Sequence, residues 1–213
     1  MAEPVYLELG RRKVFACSLR WPGWCRWGAD ESAALAILED YADRYAPVAT
    51  RAGLRFPRPA GFEVLERLAG TGTTDFGAPG AVPEADRRDI TKAEAARLAA
   101  IVQASWAELD KVAASSPAQL RKGPRGGGRD RDAMIAHVND AEVAYGRKFG
   151  ARVSAAEVRQ AGPGLVRRCI AETLTAARHP PDPGSSGWPA PYAARRVAWH
   201  VLDHVWEMQD RSA

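Results

Sequence analysis

Histidine is scarce in this chain, with four in 213 residues, and cysteine is scarcer, with Cys17, Cys25 and Cys169. The cysteines form no CxxC and no repeating framework. A disulfide scaffold is therefore not expected, and an odd count at wide spacing fits a reducing cytoplasm. No run approaches the ~18 apolar residues of a membrane span. The N-terminus lacks a basic segment followed by an apolar stretch, so no signal peptide is expected. P-loop, GxGxxG and GxSxG motifs are all missing, which leaves nucleotide-cofactor and serine-hydrolase chemistry without support. No internal repeat is visible. The net charge of +4 is small, and 26 acidic residues are interspersed among the basic ones. Such a balance permits nucleic-acid contact without arguing for it.

What is present divides into two modules. In residues 1–70, "VYLEL" alternates Val5, Leu7 and Leu9 against Tyr6 and Glu8, the period of a strand. "GRRK" reads as a turn, "VFACSLRW" as a second strand and "WCRWG" as a short third one. Asp30 is placed to cap a helix whose apolar face is Ala34, Ile37, Leu38, Tyr41 and Tyr45, with Pro47 just beyond its end. "FEVLERLA" is expected as a last strand. Residues 71–90, rich in Gly, Pro and turn formers, read as a linker.

From residue 91 the period becomes helical. "TKAE" and "SAAE" are capping boxes at Thr91 and Ser154. Helix A carries Leu98, Val102, Trp106 (or Ser105), Leu109 and Val112 on one stripe. After a basic loop, helix B (about 130–150) turns Met134, His137, Val138, Ala141 and Tyr145 inward. Helix C, kinked at "GPG", carries Leu165, Val166, Cys169, Ile170 and Leu174. Helix D runs from about Tyr192 to Arg211. The expected fold class is α+β: a small sheet with a helix, then a four-helix bundle over 91–213.

Three of the four histidines fall on or beside apolar stripes. His200 and His204 stand four apart on helix D, so their imidazoles lie side by side on one helix face, and His137 lies on the inward face of helix B. Three unpaired imidazoles in a core would be costly. As ligands of one divalent ion they would leave a fourth position open, the catalytic kind of site. Zn²⁺ is the expected ion, with Ni²⁺ or another first-row metal as alternatives. His179, beside Pro180 and Pro181, reads as a surface residue at a helix end.

The segments "AMIAHVNDAE" and "VAWHVLDHVW" resemble the DinB-like superfamily over about residues 91–212. That resemblance implies a four-helix bundle with a three-ligand metal site, His137, His200 and His204 being the ligands. It also implies a metal-dependent activity on a small molecule, with thiol S-transfer and mycothiol-dependent isomerisation known among relatives. The chain departs from the family in having "VWEMQD" where many members have a Gly-Gln segment. The stretch "FACSLRWPGWCRWGADESAALAILEDYADRY" resembles a HicB-like module. This second resemblance implies the alternative: a non-catalytic regulatory or binding protein whose metal is structural or sensory. No helix-turn-helix accompanies it here.

Around the histidines, Asp140, Glu142, Asp203 and Glu207 are the nearby carboxylates. Glu207, three after His204, is placed as a partner of that ring or as a general base. Asp203 reads as a solvated helix charge. Arg195 and Arg196, about one turn before His200, are candidates for binding an anionic substrate group. Glu207 and Arg196 are thus the candidate catalytic residues. Trp199 and Trp206 either wall a pocket or pack helix D on the sheet. "RWPGWCRWG" reads as sheet packing or as an aromatic ligand floor, and Cys25 within it as a candidate reactive thiol. The expected partner is a small molecule, a low-molecular-weight thiol among the options, with homodimerisation left open and no membrane contact.

Overall fold

The computed structural model describes residues 1–123, 127–182 and 184–212; part of the basic loop before helix B and one position of the Pro-rich connection lie outside them. The fold is α+β. A mixed four-stranded sheet is built from β1 (Glu3–Leu9), β2 (Val14–Ser18), β3 (Cys25–Gly28) and β4 (Phe62–Ala69), in the order β3-β2-β1-β4. β1 pairs antiparallel with β2 and parallel with β4, and β2 pairs antiparallel with β3. The parallel pairing needs a crossover, which α1 (Glu31–Asp40) and α2 (Ala42–Arg51) supply.

Asp30 caps α1 as its sequence position suggests, accepting the Ala33 N–H at 2.8 Å. The helix breaks at Tyr41, and Pro47 lies inside α2 rather than beyond the helix end. Proline removes one bond to a carbonyl four residues back. Here that position is exposed, while burial of Tyr45, Val48 and Ala49 holds the turn together.

The alternation in β1 is real, but its polar face is not solvated. Tyr6 and Glu8 are as buried as Val5 and Leu7. The expected linker covers them. It contains α3 (Gly72–Phe76) and a 3₁₀ turn over Glu84–Asp86. Glu8 accepts the backbone N–H groups of Gly80 and Ala81 at 2.8–2.9 Å and a hydroxyl bond from Thr74. A buried carboxylate satisfied this way anchors the segment to the sheet.

The rest of the chain is helical: α4 (Lys92–Ser115), α5 (Arg131–Lys148), α6 (Ala155–Ala161), α7 (Pro163–Ala176) and α8 (Ala190–Ser212). Both capping boxes form, at Thr91 and Ser154. The expected helix C is two helices, because Gly162 adopts φ +76° and Pro163 starts a new one. α4 packs on α7 and α8, and α5 packs on α7 and α8. Among the described residues no helix is long and apolar enough to cross a membrane.

α8 is the central element. Between Ala190 and Met208 only Arg196, Asp203 and Glu207 escape full burial. One side of α8 meets α4 and α5. The other meets the sheet, where Trp199 packs against Phe15 and where Gly23 comes close to Ala198 and Leu202. The main hydrophobic core takes in residues from both parts of the chain, Val5 to Met208, with Ile90 from residues 71–90, while Tyr6, Phe15, Cys17, Cys25 and Trp199 form a second, smaller cluster.

The aromatic segment serves packing. Trp24 is fully buried against Tyr45, Phe56 and Phe62 and donates its indole N–H to Leu38 O at 2.9 Å, whereas Trp27 points outward. Cys25 is not a free thiol. The antiparallel register sets it opposite Cys17, with Cα atoms 4.1 Å apart, and the two form a disulfide. A separation of eight residues hid this pairing, because only the strand register reveals which residues face each other.

Candidate metal centre

α8 presents His200 and His204 on one face because they stand one turn apart, and α5 brings His137 against them. The Nε2 atoms of His137 and His200 lie 3.2 Å apart. One nitrogen from each of the three rings fits within a 4.8 Å spread. The rings meet edge-to-face, with centroids 4.8–5.1 Å apart. Nitrogens bound to one tetrahedral Zn²⁺ at about 2.0–2.1 Å would stand ~3.3 Å from each other. The His137–His200 separation already matches, and small ring movements would bring in His204.

Protonation favours the same chemistry. Burial, reinforced by the His204 ring and the Arg196 guanidinium, pushes His200 down to about 2, and burial also lowers His137. Both are neutral imidazoles at neutral pH, the form that ligates a metal. His204 uses Nδ1 in a 3.0 Å contact with Glu207 Oε2, which leaves its Nε2 available. The other oxygen of Glu207 accepts from Arg211 at 2.7 Å. The hydrogen bond with His204, followed by that from Arg211, holds the Glu207 carboxyl below its ordinary range. With both oxygens occupied, Glu207 is arranged to orient His204, the usual partnership of a ligating histidine and a carboxylate.

The remaining candidates separate. The Arg196 guanidinium lies over the Tyr145 and Trp199 rings, and its Nη1 is buried without a hydrogen-bond partner. Tyr145 in turn sets its ring edge-on to His200, with centroids 5.5 Å apart. Arg195, expected beside Arg196 as an anion binder, is instead buried in an ion pair with Asp86 and donates to Leu19 O at 2.6 Å. Successive helical residues point about 100° apart, so the pair could not share one ligand from the same face.

Asp203 is not a free surface charge; it pairs with Arg26 at 2.7 Å. Asp140 is exposed, and Glu142 faces Trp106 and Arg167 on α4 and α7 rather than the histidines. Trp199 and Trp206 pack on Phe15 and Tyr41. His179 is exposed, as expected, 2.9 Å from Asp89.

Sequence reasoning missed the link from Glu207 to Arg211, although the i, i+4 spacing was there to be read. It also missed Arg26, which no local signal connects to α8. Compared with family models, curated proteins and solved structures, the chain matches none.

Proposed function

We propose that this protein is a divalent-metal-dependent enzyme of the DinB-like kind acting on a small molecule, by thiol S-transfer or isomerisation or by metal-assisted hydrolysis. The observation that carries the reading is the convergence of His137, His200 and His204 from two helices. Three converging imidazoles suit Zn²⁺, or Ni²⁺ and neighbouring first-row ions. Such an ion supplies Lewis acidity toward a carbonyl and lowers the pKa of a water or thiol. In this reading Glu207 fixes the orientation of His204. Arg196, with an unpartnered buried Nη1 one turn before His200, holds an anionic group of the substrate.

One observation favours the alternative of a structural or sensory metal in a HicB-like regulatory protein. The clefts of about 310 and 640 Å³ are lined by none of the three histidines. The two readings part experimentally. The enzyme requires about one ion per chain by elemental analysis, and a Co²⁺-substituted sample whose visible spectrum changes when a small thiol is added. A spectrum blind to thiols, together with salt-sensitive nucleic-acid binding, would replace the enzyme with the regulator.

A further inference from the structure

A cleft of about 310 Å³ opens where the start of α4 and the start of α8 meet β1 and β4. This is at the lower end of the size range of small-molecule pockets. Its apolar wall comes from Leu19, Leu65, Ile90 and Leu98. Leu65 is 56% exposed, uncommonly open for a large apolar side chain in this protein.

Four arginines also line it. Two are neutralised in place: Arg88 by Glu94 at 2.7 Å, and Arg195 by the buried Asp86. Arg20 and Arg97 have no ion-pair partner among the described residues. Arg97 is half-buried, with its guanidinium 4.7 Å from the Trp21 ring centre and one Nη donating to Arg20 O at 2.7 Å. Burial pulls Arg97 below the usual guanidinium range. Glu3, whose charge reaches both Arg20 and Arg97 without an ion pair to either, is buried and accepts from the Ser18 hydroxyl at 2.6 Å. Burial raises its pKa. A partly desolvated cation with no carboxylate in ion-pair contact is costly, and an incoming anion relieves that cost.

We propose that this cleft is a second ligand site, separate from the histidines, for a small organic oxyanion. Its carboxylate or phosphate head is held by Arg20 and Arg97, and its apolar body lies on Leu65, Ile90 and Leu98. The guanidinium fork suits either head group. The apolar wall selects against a bare inorganic ion.

Phenyl phosphate, benzoate, inorganic phosphate and benzyl alcohol are titrated into the full-length protein with EDTA present, by calorimetry and by the fluorescence of Trp21 and its neighbours. Saturable binding of phenyl phosphate or benzoate at one site is expected, and the tighter of the two identifies the head group. Inorganic phosphate and benzyl alcohol should bind at least tenfold more weakly. Arg20→Gln, at an exposed position that does not threaten the fold, and Arg97→Gln should each weaken binding about tenfold, and Leu65→Asp should weaken it as well. Inorganic phosphate binding as tightly as phenyl phosphate would overturn the proposal. So would unchanged affinity in Arg20→Gln and Leu65→Asp, or no saturable binding of either aromatic anion at millimolar concentration.

Discussion

Arg26 on β3 and Asp203 on α8, 177 residues apart in sequence, form an ion pair at 2.7 Å. The Arg26 guanidinium also lies over the Tyr41 ring, 4.2 Å from its centre, and its side chain is only 15% exposed. The pair fixes the sheet to the helix that carries the histidines, one residue before His204. A partly buried pair of this kind should couple more strongly than a fully exposed one. In a double-mutant cycle of Arg26→Ala and Asp203→Ala, a coupling energy of roughly 1 kcal/mol is expected from denaturant unfolding. Additive single mutants would show the contact to be incidental.

The proposed metal centre makes a sharper prediction. Replacing His137, His200 or His204 by Ala should strip most bound metal from the purified protein, read by elemental analysis. His179→Ala, at a surface residue paired only with Asp89, should retain it. Glu207→Gln should keep the metal but bind it about 10–100-fold more weakly in chelator competition, because the His204 ring loses its orienting carboxylate. A His200→Ala protein with the parent's metal content would end this reading.

Glu142 should give stability a pH dependence of unusual sign. Its carboxyl is buried, and burial outweighs the Arg167 charge and the Trp106 indole N–H to push it up to about 7. In the unfolded chain it ionises near 4.5. Between these values the folded state holds a proton that the unfolded state has released. This group's contribution therefore favours folding most at low pH, declines as pH rises from about 4.5 to 7, and stays flat above. A shift of that size corresponds to roughly 3 kcal/mol. Glu142→Gln should remove this slope from the stability profile measured by urea unfolding. An unchanged slope in the variant would assign the titration elsewhere.

Gly23 should not tolerate a side chain. Its φ is +91°, and an added Cβ would stand 2.8 Å from Leu202 Cδ1 and 3.0 Å from Ala198 Cβ. Gly23→Ala combines a left-handed backbone with a clash against α8. It should cost ~2 kcal/mol or more, with weaker metal binding if α8 shifts as a result. Parental thermal stability would show that the turn and α8 can separate at little cost.

Local signals in the sequence located several elements and the three histidines that converge. Period-two alternation located β1, the capping residues Asp30, Thr91 and Ser154 located three helix starts, and the i, i+4 spacing put His200 beside His204. These signals act within a few residues, where covalent geometry fixes who can meet whom. His137 was legible too, because a helix stripe tells which side faces a neighbour. Contacts between distant segments became visible only in the folded chain. Asp86 claims Arg195, Arg26 claims Asp203, Cys17 faces Cys25, and residues 71–90 fold down over Glu8 instead of spanning open space. Long-range ion pairs and burial are set by how elements pack, and no local period encodes which charge a folded helix will bring within 3 Å of another. Tertiary packing also overrode local preference at Pro47, where burial of the flanking residues sustained a helix that proline alone would have ended.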